Sequence, residues 1–410
     1  MPSPALRPRP ELADILRAHG QAYRARHPVS PEQAKVMTSL VQCRTAALGG
    51  HVDSCDGCGF VRISYNSCRD RHCPKCQASE RAAWVDARLE RLLPVEYFHV
   101  VFTLPEQLQP LILKNRRALY TLLFRSATET LLELAADPKR LGAQIGITAV
   151  LHTWGQNLLF HPHLHCVVTG GGLSPDGRRW VPTREGYLLP VPVLSSLFRG
   201  KFLAKLKRLY QSGQLTLTGS VTQLVQPRAF QQLLDRLYRK KWVVYAKPPF
   251  GGAEQVYRYL GRYTHRVAIS NSRLISMSGD RVHFHYKDYA DDQKIKQMTV
   301  SADEFLRRFL LHVLPKGFVR IRHYGLLASP NVKTKLKRCL WLLGPADVVR
   351  TEAERLRRDP FRDWIENVLT RCPRCGGHLT TTSFDRGSAP IAGTVACVIS
   401  RPVPAILDSS

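Results

Sequence analysis

Residues 161–173 read HPHLHCVVTGGGL, three histidines on alternate positions of a short apolar run that ends in three glycines. In a strand, residues two apart face one side, so His163 and His165 project together while Leu164 faces away. Two imidazoles on one face can bind a divalent cation, and a third ligand from another element would leave coordination positions open for chemistry. Gln156, His161 and a polar residue near the helix discussed below are candidates for that third ligand, though Pro162 disturbs the alternation beside His161. A single histidine in a strand is more often structural, but two or three at this spacing favour a metal. Gly170 to Gly172 would let another backbone, such as that of DNA, approach closely.

A metal alone makes no mechanism, and the segment QVYRYLGRYTHRVAIS, residues 255–270, offers a nucleophile. On a helix, Tyr259 and Tyr263 are four apart and share a face, whereas Tyr257 points elsewhere. Arg258, Arg262 and Arg266 form a second row at the same spacing, suited to phosphate. Taken alone, the segment reads as an amphipathic helix with aromatic core residues.

Six of the eleven cysteines fall between Cys43 and Cys76, a clustering that argues for metal rather than disulfides in a cytosolic chain. Cys55 and Cys58 form one C-x2-C knuckle, and Cys73 and Cys76 form another after fourteen intervening residues. Four thiolates at this spacing can close a tetrahedron around Zn2+, a structural site with no open position for catalysis. Cys43, His51, Cys68 and His72 lie close by and offer either a second set or a substitute for one of the four. The basic flank RDRH, residues 69–72, suits DNA contact. Cys372 and Cys375 make a further knuckle with no partner pair after it, which reads as a remnant or an incomplete zinc site, and Cys397 stands alone. Cys166 and Cys339 read as core residues.

The elements that must position these groups mix strands and helices. SPEQ at Ser30 has the pattern of a capping box with proline at the first helical position. A helix is expected from about Ser79 to Leu93, a buried strand over EYFHVVFTL, and a long helix over residues 106–136. AQIGITAVLHTW and HLHCVVTGG read as strands, and helices are expected near residues 193–211, 228–239 and 253–264. KWVVYA and GFVRIRHYG read as strands, RLISMSGDRVHFHYKD as a hairpin turning at Gly279 and Asp280, and ADEFLRRFLLHVL and NVKTKLKRCLWLL as helices. With no regular βαβ repeat, this order favours an α+β fold with an antiparallel sheet. Arg320 and Arg322, two apart in RIRHYG, would share a strand face that DNA could meet.

Sixty Lys and Arg against 32 Asp and Glu leave a net charge of +28, for which a polyanionic partner is the simplest reason. There is no apolar run of about 18 residues, as a membrane-spanning helix needs, and the N-terminus lacks the apolar core of a signal peptide. A cytoplasmic protein working at the nucleoid, without a membrane partner, is the expectation.

His-hydrophobe-His followed much later by a Tyr-x3-Tyr helix resembles the HUH nucleases. More closely, the chain resembles the two-tyrosine rolling-circle transposases of insertion-sequence family ninety-one. The resemblance runs from about Cys43 to Leu327 through CRTAALGGHVDSCDGCG, NSCRDRHCPKCQ, YFHVVFTLP, HPHLHCVVTGGG, YLGRYTHRVAIS and LPKGFVRIRHYGLL. It implies an HUH-type antiparallel sheet flanked by helices, preceded by helical segments and a small zinc-binding module. It also implies cleavage of one DNA strand by tyrosine transesterification, with Tyr259 and Tyr263 as nucleophiles and Mg2+ or Mn2+ held by His163 and His165. The partner is then DNA, mainly single-stranded element ends and target. No ATP is needed, and no G-x4-G-K-[ST] loop is present.

The expected division is a helical basic region over residues 1–42, a zinc module with its following helix over 43–93 and a nuclease over 94–345. An extension over 346–410 would carry the partial knuckle and a disordered tail. A rolling-circle replication initiator would share the chemistry. A zinc-dependent DNA-binding regulator would need neither His163 nor Tyr259, and a metal hydrolase would leave both DNA ends free.

Overall fold

A computed structural model of the chain describes residues 9–89, 91–247, 261, 268–289, 291–344 and 370–387. The fold is α+β with antiparallel sheets, as expected. Its centre is a sheet of order β11-β4-β5-β3-β7, with β6 (Trp180–Pro182) added to the far half of β5. The strands are β3 (Tyr97–Thr103), β4 (Gln144–Trp154), β5 (Phe160–Leu173), β7 (Val244–Lys247) and β11 (Ile321–Gly325), paired antiparallel throughout.

Alternation divides the sheet into two faces. Phe98, Val100, Phe102, Ile147, Ala149, Leu151, Leu164 and Cys166 are buried on one of them. There they meet α4 (Gln109–Lys114), α5 (Arg116–Ala136), α6 (Val191–Gln211) and α7 (Pro227–Arg239) in the largest core. The opposite face carries the histidines. The single helix expected over residues 106–136 is broken at Asn115. The buried Asn115 amide donates to the Leu111 and Thr216 carbonyls and accepts from the Thr216 amide, which fixes the chain between α4 and α5.

A second core joins the start of the chain to a three-stranded meander. Leu12, Ile15 and Leu16 of α1 (Leu12–Arg26) and Val36, Met37 and Leu40 of α2 (Pro31–Gln42) are buried in it. They share it with Val282 and Phe284 of the meander β8 (Leu274–Ser278), β9 (Arg281–Asp288), β10 (Lys294–Ser301), and with Phe305 and Phe309 of α8 (Ala302–Leu310). Ser30 and Gln33 form the expected capping box of α2. The hairpin turn at Gly279 and Asp280 is present, whereas β10 was not foreseen.

A third sheet, β12-β1-β2, joins the cysteine-rich stretch to the C-terminal extension. β1 (Gly50–Cys55) and β2 (Val61–Tyr65) form a hairpin, and β12 (Leu379–Phe384) pairs with β1 from Gly50↔Phe384 to Cys55↔Leu379. The expectation of disorder after residue 378 therefore fails for residues 379–384. Their partner strand lies more than three hundred positions earlier, so no local pattern announced it. Against the main sheet, α3 (Ala78–Leu89) and α9 (Lys337–Leu342) border a small core that includes Tyr97 of β3, Val167 of β5, Leu326 and Cys339. No described helix is long and apolar enough to cross a membrane.

Candidate metal centres

The face of the main sheet turned away from the helices gathers His152, His163 and His165, each offering a ring nitrogen within 4.8 Å of the others. Strand register does this. β5 runs between β4 and β3, with His163 opposite His152 on one side and His165 opposite Val101 on the other. Opposed residues of an antiparallel pair point to the same face, so His152 joins the two histidines of β5.

Sequence reasoning missed His152 and named His161 and Gln156 instead. His161 is exposed and lies outside the group, but its carbonyl accepts a 2.7 Å hydrogen bond from His163 Nδ1. That bond leaves His163 Nε2 with its lone pair for a metal, the usual arrangement of an oriented ligand. Gln156 sits in the β4–β5 turn, where its carbonyl accepts from Arg273. The turn spans Gly155–Leu158 and a register irregularity lies between His152 and Trp154, so counting outward from the turn does not lead to the pairing of His152 with His163.

A fourth histidine supports the group. His99 Nε2 lies 2.8 Å from His165 Nδ1, with the two rings stacked at 5.0 Å. Burial holds the imidazoles neutral: it pushes His163 and His99 down to about 4, and His152 and His165 well below the usual histidine range. Neutral imidazoles keep the lone pairs that a cation needs. Three nitrogens with open positions beside them fit a divalent metal.

The proposed nucleophiles Tyr259 and Tyr263 lie outside the described residues, as do Arg258, Arg262 and Arg266. Arg320 and Arg322 do not share an exposed strand face. Arg320 precedes β11 and is buried, its guanidinium pushed down to about 9 by burial and by Arg71. It lies close enough to His152 to lower that imidazole further. Arg322 turns to the helix side and stacks over Phe124 at 4.3 Å and Phe318 at 5.0 Å. Gly170 to Gly172 serve the chain's own packing instead of a DNA backbone. A Cβ would meet the Glu96 carbonyl at 2.6 Å on Gly170 and the Gln144 carbonyl at 2.5 Å on Gly172.

The cysteines form two groups, and neither is the set expected. Cys43, Cys68, Cys73 and Cys76 place four sulfurs within 4.8 Å, with 3.4 Å between Cys43 and Cys73 and 3.8 Å between Cys68 and Cys76. Cys55 and Cys58 do not join Cys73 and Cys76; they meet Cys372 and Cys375. The knuckle read as a remnant thus has partners. Cys43 caps α2 and Cys68, Cys73 and Cys76 lie in the connection between β2 and α3, whereas Cys55 ends β1 and Cys58 lies in the turn to β2. His51 and His72 belong to neither group: His51 Nδ1 faces Ser383 Oγ at 3.3 Å, and buried His72 pairs with Asp70 at 2.8 Å. Cys166 and Cys339 are buried core residues, as expected.

Comparison with known proteins places these features in a family. A family model described as a putative transposase matches residues 146–335, the span of the three histidines. Another, described as a transposase zinc-binding domain, matches residues 15–104. The chain is 52% identical over 387 residues to the putative transposase y4qJ of Sinorhizobium fredii, covering 93% of this chain and 97% of that protein. It is 29% identical over 379 residues to the transposase for insertion sequence element IS801 of Pseudomonas savastanoi pv. phaseolicola, covering 87% and 84% respectively. No solved structure matches the chain.

Proposed function

Because the chain belongs to the transposases of insertion-sequence family ninety-one, we propose that it cuts and rejoins one DNA strand through tyrosine at the three-histidine centre, driving rolling-circle transposition. The observation that carries this reading is the convergence of His152, His163 and His165 on the face of the main sheet turned away from its helices. A divalent cation held there supplies Lewis acidity at the scissile phosphate. An all-imidazole donor set suits a softer ion than Mg2+, which favours oxygen ligands, so Mn2+ is the better fit of the two ions expected.

The chain's own groups do the rest. The Tyr259 oxygen attacks phosphorus and loses its proton; the bond from phosphorus to the 3′-oxygen breaks, and that oxygen leaves as a hydroxyl. The 5′ end stays on the protein as a phosphotyrosine, so the bond's free energy is kept for rejoining. Tyr263 performs the matching attack at the second junction while the first end is held. Free tyrosine ionises near ~10 and so depends on its surroundings for activation at neutral pH. His99 and the His161 carbonyl fix the rings of His165 and His163, so that the ligands need not reorganise when DNA arrives.

Cys43, Cys68, Cys73 and Cys76 hold a structural Zn2+ in this reading, within the span that matches the zinc-binding domain. Arg320 contributes positive charge beside the cut, and Arg258, Arg262 and Arg266 grip phosphates along the tyrosine segment. Labelled single-stranded DNA carrying an element end, incubated with the protein and Mn2+, should give a labelled band that survives denaturing electrophoresis. Tyr259→Phe should remove the band formed at the first junction. An undiminished band in that variant refutes the assignment of the nucleophile.

A further inference from the structure

We infer that Cys55, Cys58, Cys372 and Cys375 hold a second structural zinc, which makes the C-terminal hairpin a working half of the zinc-binding module. The domain matched at residues 15–104 contains only half of this set. The inference is independent of the strand-cutting reading.

The sulfur geometry comes first. Cys55 Sγ lies 3.5 Å from Cys375 Sγ, Cys58 Sγ lies 3.5 Å from Cys372 Sγ, and all four fall within 4.8 Å of one another. A disulfide would bring two sulfurs to about 2.05 Å. A zinc tetrahedron with Zn–S bonds of about 2.3 Å has sulfur–sulfur edges of about 3.8 Å. The observed spacing is that of ligands around an ion.

The two knuckles are also built alike. In the first, the Cys55 amide donates to the Phe60 carbonyl at 2.9 Å, and the Gly59 amide donates to the Cys55 carbonyl at 2.9 Å. In the second, the Cys372 amide donates to the Gly377 carbonyl at 2.7 Å, and the Gly376 amide donates to the Cys372 carbonyl at 2.9 Å. The offsets are the same, and in each the glycine four positions after the first cysteine is left-handed, with φ of 67° at Gly59 and 75° at Gly376. Two copies of one turn therefore present their sulfurs to a common point. Backbone amides that aim at sulfur, such as Arg374 N to Cys372 Sγ at 3.4 Å, suit thiolates.

Beyond the β1–β12 ladder and the Phe384 ring set against Tyr65, little apolar burial holds the C-terminal knuckle. Its buried apolar cluster consists of Cys55, Cys372 and Leu379, with Cys58 and Phe60 beside them. A core that small does not support a fold, and metal binding supplies the missing free energy in such modules. With the ion in place, β12 is fastened to β1, and the chain closes on its own zinc module.

The test uses the full-length protein. Zinc content by plasma mass spectrometry should fall by one ion per chain in the Cys372→Ser/Cys375→Ser variant. Alkylation mapped by peptide mass spectrometry should then show Cys55 and Cys58 newly reactive, while Cys43, Cys68, Cys73 and Cys76 stay protected. If that variant exposes every cysteine, Cys375→His decides: a ligand-preserving change should restore both the zinc and the protection. Unchanged zinc content with Cys55 and Cys58 still protected would overturn the proposal. So would reactivity shifting to Cys73 and Cys76 instead, or failure of Cys375→His to restore what the double serine variant loses.

Discussion

At the scale of single residues, the histidines are set by what holds them. His163 is turned by the His161 carbonyl, and His165 by the imidazole of His99. Removing such a support leaves a ligand in place but free to rotate, which typically costs about 10–100-fold in metal affinity. His99→Ala should therefore weaken Mn2+ binding by about that factor in a calorimetric titration, while single-stranded DNA binding measured without metal stays unchanged. An unaltered Mn2+ affinity would remove His99 from the account. The alternation of His163 and His165 was legible in the sequence because strand geometry alone puts them on one face. His152 was not, because its place depends on the hairpin register. Nor was the split of the cysteines into two groups legible: local spacing shows which pairs form knuckles, not which knuckles meet. Arg322 shows the same limit, since a basic residue in a strand reads as a DNA contact until its neighbours Phe124 and Phe318 are known.

At the scale of elements, the β4–β5 hairpin is the part that builds the centre, and its tip is anchored by His312. That buried ring donates from Nε2 to the Leu158 carbonyl and has Nδ1 3.2 Å from the Thr153 hydroxyl, and its burial favours the neutral form. Burial pushes His312 down to about 3, and His99 and His323 to about 4. The ordinary value in an unfolded chain is about 6.5, so on acidification the unfolded state takes up these protons first. The stability from these groups is complete above about 6.5 and is lost as the pH falls toward their folded values. The urea midpoint of metal-free protein should fall steadily between pH 7 and pH 4; a midpoint that is flat or rises over that window contradicts the assignment. Most elements could be read from sequence because their apolar periodicity is strong, as in α6, α7 and β3. The LTTTSF strand β12 could not: it is short, four of its six residues are exposed, and its partner is remote.

At the scale of the whole molecule, two large cores, a smaller one and two cysteine groups accompany one sheet, which carries His152, His163 and His165 on the face turned away from its helices. The first core supports that face from behind through α5 and α6. The second joins α1, α2, the meander and the Leu158 tip of the hairpin, so the segment before the zinc-binding cysteines is packed against the elements that follow the centre. The charge of +28 is spread over the length of this assembly and suits a long phosphate backbone better than a small ligand. The α+β class and the transposase family were therefore open to sequence reasoning, whereas the joining of distant segments was not. The central claim is that the three-histidine centre makes the cut. It is tested most directly by measuring covalent protein–DNA adduct on a labelled element end, with and without Mn2+, in the wild type, His152→Ala and His161→Ala. The account predicts a Mn2+-dependent adduct in the wild type and in His161→Ala, and none in His152→Ala although that variant still binds the DNA. An adduct that persists after chelation, or that survives undiminished in His152→Ala, would contradict it.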